Sequence, residues 1–179
     1  HLLFVNLVMD GLGAIMLGNE PAREHYMSEK PRRRDESIVS KSMMTQILTM
    51  GLWLTVLSFV FLKLPFFDRF FATEEQKLSA YFVLFIWSAL FNGFNVRDEG
   101  FHIFKGLGEN TGFMMVFIAM ILVEALIVNA GLIPVAAFGW IGSMFSCVPF
   151  GIAGWCAVAA LAVTMIPLDM IRKAVSKEA

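Results

Sequence analysis

His1–Pro21 reads HLLFVNLVMDGLGAIMLGNEP. Between Leu2 and Leu17 only Asn6 and Asp10 are polar, so the run stays apolar for about five helical turns, enough to cross most of a bilayer. A carboxylate inside such a run is costly, and by default it marks an ion or proton site. Asn6 and Asp10 are four apart, which on a helix puts their oxygens on one face, one turn from each other. Gly11 and Gly13 follow at once, and glycine lets the backbone loosen locally. A loosened turn would free carbonyl oxygens to join the two side-chain oxygens around a hard cation. The competing reading makes Asp10 a buried partner for a basic or amide group.

Outward from this stretch the composition is that of an integral membrane protein. Hydrophobic residues make up 58% of the 179, charged residues only 16%, and phenylalanine occurs 18 times. A soluble domain of this size needs more charge to cover its surface. The charges are also clumped, leaving long uncharged windows. No basic patch is interleaved with aromatics as a nucleic-acid surface requires, so nucleic acid is not an expected partner. Cys147 and Cys156 have no nearby histidine to complete a metal cage and read as reduced structural thiols. His1 opens directly on an apolar run with no basic leader, and the expectation is a fragment that starts inside a transmembrane helix.

Hydropathy predicts an all-α, polytopic transmembrane bundle of about five spans, near residues 1–18, 42–62, 78–96, 111–132 and 151–166. Polar loops at 19–41 and 97–110 separate them on one side. On the other side lie a phenylalanine-rich connector at 63–77 and a mixed segment at 133–150 expected to dip into the interface. Phe66, Phe67, Phe70 and Phe71 of the connector are expected at the membrane interface. Pro167 is expected to end the last span, leaving Asp169, Arg172, Lys173 and Lys177 in a solvated tail. Eleven Lys and Arg fall on the side of loops 19–41 and 97–110, and three (Lys63, Arg69, Lys77) on the other. The positive-inside rule then makes the basic loops and the C-terminus cytoplasmic. The chain shows no internal repeat and no second domain, so 1–179 reads as one membrane domain with the lipid bilayer as its medium.

The order Asn6-Leu7-Val8-Met9-Asp10-Gly11, then Leu17-Gly18-Asn19-Glu20-Pro21, then Lys30-Pro31-Arg32-Arg33 resembles the sixth membrane helix and following loop of P-type calcium-transporting ATPases. Ala89-Leu90-Phe91-Asn92-Gly93-Phe94-Asn95-Val96-Arg97 is similar to the eighth helix of the plasma-membrane type, whose pattern is L-F-N-x-x-N-x-R. The resemblance implies that the chain is the sixth to tenth helices of such a pump in the cell membrane. Asn6 and Asp10 would then be cation ligands, with transported calcium as the cargo. The loop carrying Pro31, Arg32, Arg33 and Arg34 would couple the membrane to the ATP-hydrolysing domains. Further ligands, the phosphorylated aspartate, and the sites for ATP and Mg2+ would lie in an N-terminal part that these residues do not contain. Pumps carrying two calcium ions have threonine at Met9 and a carboxylate at Ala89, so the second ion site reads as dismantled. Manganese pumps also carry methionine at the first of these positions, which leaves a manganese or other cation pump open. A stand-alone multi-pass transporter or scaffold is the alternative from another class. Glu124, an acid at mid-span, falls where the family often has glutamine, and is expected to be structural, either protonated or in an interhelical hydrogen bond; Asn92 and Asn95 are structural candidates too. His25 and His102 are expected to be solvated loop residues.

The charge asymmetry is testable in membranes of cells making the intact protein. A cysteine replacing Arg33 should react with an impermeant thiol reagent only from the cytoplasm, and one replacing Thr73 only from outside. The reverse pattern would overturn the orientation.

Overall fold

A computed structural model describes residues 2–4, 6–7, 10–22, 24–97 and 101–178. Among the described residues every regular element is helical. The α-helices are α1 (Leu2–Phe4), α2 (Asp10–Gly18), α3 (Lys41–Lys63), α4 (Glu74–Val96), α5 (Thr111–Asn129), α6 (Ala136–Phe145), α7 (Ile152–Val163) and α8 (Met165–Glu178). Four stretches are long and apolar enough to cross a membrane: Lys41–Lys63, Glu74–Val96, Thr111–Leu132 and Ile152–Ser176. They match four of the five expected spans and make the chain an all-α polytopic bundle. Over the first expected span the described residues give α1, a widened π-type turn at Asn6 and Leu7, and α2.

Side-chain caps set where three of the long helices begin, by taking up a backbone N–H that the first turn leaves without a partner. Ser40 Oγ accepts from Met43 N at 3.1 Å, Thr73 Oγ1 from Gln76 N at 3.3 Å, and Asn110 Oδ1 from Phe113 N at 2.8 Å. The Thr73 cap moves the start of α4 ahead of the expected 78, so Glu74, Glu75 and Lys77 belong to the helix. Lys77 is not a solvated boundary charge. It is buried, paired with Asp68, and donates to Leu62 O at 3.0 Å. Segment 133–150, expected to be a mixed loop dipping into the interface, contains α6.

The end of the chain also differs from expectation. Pro167 lies inside α8 and does not end the last span. Having no N–H for the carbonyl four residues back, a proline kinks a helix near that position. The break accordingly falls at Thr164, between α7 and α8. Thr164 Oγ1 there donates to Leu161 O at 2.5 Å and accepts from Trp53 Nε1 of α3 at 3.1 Å. Asp169 and Lys173, expected in a solvated tail, are both buried.

α4 is the central helix, packed against α3, α5, α7 and α8 and the most buried of the four spans. Its Phe82, Val83, Leu84, Ile86 and Leu90 form the middle of the core with Met120, Val128 and Val158. At one end of the bundle the connector phenylalanines gather into an aromatic cluster. Phe61 meets Phe67 at 5.5 Å and Phe71 at 5.7 Å, Phe71 meets Phe150 at 5.6 Å, and Phe150 stacks on Trp155 at 4.7 Å between ring centroids. The cluster closes over Gly154. A Cβ there would lie 2.7 Å from Phe71 Cε1 and 2.9 Å from Phe150 Cδ2. Gly154→Val should therefore destabilise the bundle by about 1–3 kcal/mol, the usual cost of overpacking. Gly151→Ala, whose Cβ meets nothing within 4 Å, is the control. Melting in detergent reads both, and equal midpoints would refute the packing role.

Candidate cation site

Asp10 is the first described residue of α2. α2 comes close to its neighbours because they offer glycine where it meets them. The Met16 methyl lies where a Cβ on Gly93 would be, 2.7 Å away, and Asn19 Nδ2 would be 3.1 Å from a Cβ on Gly112. Between α2, α4 and α5 lies a cavity of about 350 Å3. Asp10, Gly13 and Met16 wall it from α2, Ala89, Asn92 and Gly93 from α4, and Val116 and Met120 from α5.

Three of the residues singled out from sequence, Asp10, Ala89 and Asn92, thus meet around one space although 79 positions separate Asp10 from Ala89. Asn6 is exposed and is not on this wall, and Met9 lies outside the described residues. Asn95 turns away from the cavity. Its Nδ2 donates to Met165 O at 2.9 Å and to Asn92 Oδ1 at 3.0 Å. Glu124, one turn along α5 from Met120, is fully buried, and neither carboxyl oxygen has a hydrogen-bond partner. Pro31, Arg32, Arg33 and Arg34 sit in an exposed loop, where Arg33 pairs with Asp35 at 3.1 Å.

Chemically the cavity offers a carboxylate and an amide oxygen in a largely apolar wall. No group of three or more His, Cys, Asp or Glu is close enough to hold a metal among the described residues. A hard cation such as calcium takes about six to eight oxygens. These residues can therefore supply only part of a coordination shell, while Ala89 supplies no side-chain oxygen at all.

Sequence reasoning missed two buried polar networks. In the first, Arg97 at the end of α4 grips Glu20, with Nε to Oε2 at 2.9 Å and Nη2 to Oε1 at 2.8 Å. It also donates to the carbonyls of Ile103 at 2.6 Å and Lys105 at 3.2 Å. Asn110 Nδ2 donates to the same Glu20 Oε2 at 2.7 Å. In the second, buried Asp169 accepts from Arg172 Nε at 2.6 Å and pairs with Lys173 at 3.3 Å, and Lys173 donates to Asn95 O at 3.1 Å. The available signal was positional: Glu20 sits inside the L-G-x-x-P exit and Arg97 ends the L-F-N-x-x-N-x-R pattern.

The family described as Cation transporting ATPase, C-terminus, matches residues 1–175. The chain belongs to that family. Among its curated relatives are the plasma membrane calcium-transporting ATPase mca-1 of Caenorhabditis elegans, 26% identical over 166 residues, and plasma membrane calcium-transporting ATPase 1 of Homo sapiens, 28% identical over 166 residues. Each match covers 87% of the chain. Calcium-transporting ATPase 5, plasma membrane-type, of Oryza sativa subsp. japonica is 32% identical over 139 residues, or 72% of the chain. The chain spans only 12–13% of the length of these relatives. As a cation-ATPase C-terminal region it holds the cavity in its membrane part.

At the end opposite the Arg97 network this region buries one thiol and exposes the other. Burial pushes the Cys147 thiol up to about 11 from its usual value, with the Glu124 carboxyl as the second cause. An unfolded thiol ionises at about 8.5, so the folded state holds this proton more tightly. Its contribution to stability should be complete below that pH and be lost as pH rises towards 11. Cys147 should accordingly resist alkylation at pH 9 in the native protein and react once the protein is denatured. Equal rates in the native and denatured protein would contradict the burial.

Proposed function

We propose that this region is the C-terminal half of the membrane domain of an ATP-driven calcium pump of the plasma-membrane type. The observation that carries the reading is that Asp10, Ala89 and Asn92 wall one cavity in a chain of the cation-ATPase family. Calcium is the cargo, suggested by the activity named for the relatives. Asp10 contributes the formal charge and Asn6 a neutral oxygen. Gly11 and Gly13, expected to loosen the backbone, lie within regular α2, and the widened turn is instead at Asn6 and Leu7, where π-type turns often mark functional sites. The remaining ligands, together with the ATP and Mg2+ sites, belong to the N-terminal part of the same pump. Loop 19–41, with Pro31 and Arg32–Arg34, faces those domains from the cytoplasmic side, as does the C-terminus. With methionine at position 9 and alanine at 89, the pump carries one calcium per cycle.

Asp10→Asn in the full-length pump keeps the shape of the side chain and removes its charge. Calcium-dependent phosphorylation from ATP should be lost, while phosphorylation from inorganic phosphate, which needs no bound calcium, should survive. The wild-type pump should bind a single calcium per phosphorylated enzyme without cooperativity. Normal calcium affinity in Asp10→Asn would sink the site, two bound ions would sink the reading of Met9 and Ala89, and transport of manganese in place of calcium would correct the cargo.

A further inference from the structure

We infer that Glu20 is a positioning residue of the cation site, a single carboxylate that sets the spacing of the three helices walling the cavity. The inference rests on the reading that this cavity receives the transported cation. Glu20 follows α2 by two residues and is joined to it tightly. Its own N–H donates to Leu17 O at 3.2 Å, while Asn19 donates to Ile15 O through its backbone N at 3.2 Å and through Nδ2 at 2.8 Å. Arg97 is the residue at which α4 stops, and Asn110 is the residue at which α5 starts. The Glu20 carboxylate therefore receives Nε and Nη2 from the end of α4 and Nδ2 from the start of α5. One oxygen, Oε2, is shared between the two helices.

The distance from this clasp to the cavity is short. Met16 lies four residues before Glu20 and Gly93 four residues before Arg97, in each case about one helical turn. Val116 lies six residues after Asn110, under two turns. Met16 and Gly93 also touch each other, at the spot where a Cβ would collide. A slip of any one helix along its axis would break a charge-assisted hydrogen bond whose length tolerance is a few tenths of an ångström. A slip of α2 or α4 would also shift Asp10 relative to Asn92, and a slip of α5 would move the wall formed by Val116 and Met120. The Arg97 side chain is wholly buried and its guanidinium lies 5.0 Å above the Phe113 ring, so water is not there to substitute for a lost partner. Groups that orient the ligands of a metal commonly alter its affinity by about 10–100-fold without touching it.

The test uses the full-length pump and calcium itself. Glu20→Gln keeps the shape and an acceptor oxygen but removes the charge. Asn110→Ser keeps the cap on Phe113 N but is too short to reach Glu20, so it cuts only the tie to α5. Each variant should need about tenfold more calcium for half-maximal phosphorylation from ATP. Phosphorylation from inorganic phosphate per amount of pump should be unchanged, a split that a folding defect would not produce. If Glu20→Gln fails to accumulate, Asn110→Ser decides alone, and wild-type calcium affinity in it overturns the inference. Asp10→Asn is measured alongside. Unchanged affinity there removes both the site and its positioning residue, whereas loss there with normal affinity in the Glu20 and Asn110 variants removes the positioning role only.

Discussion

The bundle depends on how a guanidinium is buried at the border of an apolar structure. Arg97 has no exposed side-chain surface, and a charge moved out of water is tolerated only when paired and fully hydrogen-bonded. Glu20 answers the charge through two bonds, the carbonyls of Ile103 and Lys105 take the remaining fork, and the Phe113 ring covers one face. Removing one partner from such an arrangement typically costs about 3–5 kcal/mol, because the other is left charged and dry. The same geometry fixes three helix ends at once. The shape of the cavity between α2, α4 and α5 follows from it.

α4 is anchored by charge at both ends and by packing in between. At its start Lys77 pairs with Asp68 and reaches Leu62 O. At its far end Lys173, itself paired with Asp169, donates to Asn95 O, so α8 is pinned where α4 finishes. Lipid supplies little hydrophobic drive between helices, which leaves close packing and buried polar bonds to hold them. Gly93 and Gly154 show the packing side of this, each admitting a larger side chain, Met16 and Phe71, into the space a Cβ would occupy. The two mechanisms divide the work by chemistry, with glycines admitting apolar side chains and ion pairs joining the helix ends.

This division explains what could be read from the sequence. Hydropathy windows located four spans, because length and apolarity are properties of single segments. The residues singled out Asp10, and the family resemblance singled out Ala89 and the Asn92 motif beside it; the fold brings all three to one cavity. The misread residues are those whose meaning depends on a partner far along the chain. Lys77, Asp169 and Lys173 look like solvated boundary charges until Asp68, Arg172 and the carbonyl of Asn95 are seen beside them. Glu20 and Arg97 are 77 residues apart, and nothing in either neighbourhood announces the other. Pro167 misled for a different reason. A proline removes one helical hydrogen bond, and whether the helix ends or merely kinks is decided by tertiary bonds such as Trp53 to Thr164.

The cavity's composition narrows what it can hold. Among the described residues Asp10 is its one formal charge and Asn92 its one amide, and Asn92 Oδ1 already accepts from Asn95. An oxygen so engaged keeps a second lone pair, so it can join a coordination shell but cannot turn freely to suit one. Its direction is set by Asn95, which is in turn held by the carbonyl of Met165 where α8 begins. The one polar side chain on the α4 wall is thus oriented through Asn95 by α8. Ala89, one turn away on the same wall, contributes only a methyl. Under the proposed function, a second divalent cation beside Ala89 would find no side-chain charge on this wall to offset its desolvation, which is the electrostatic side of the proposed one-ion reading.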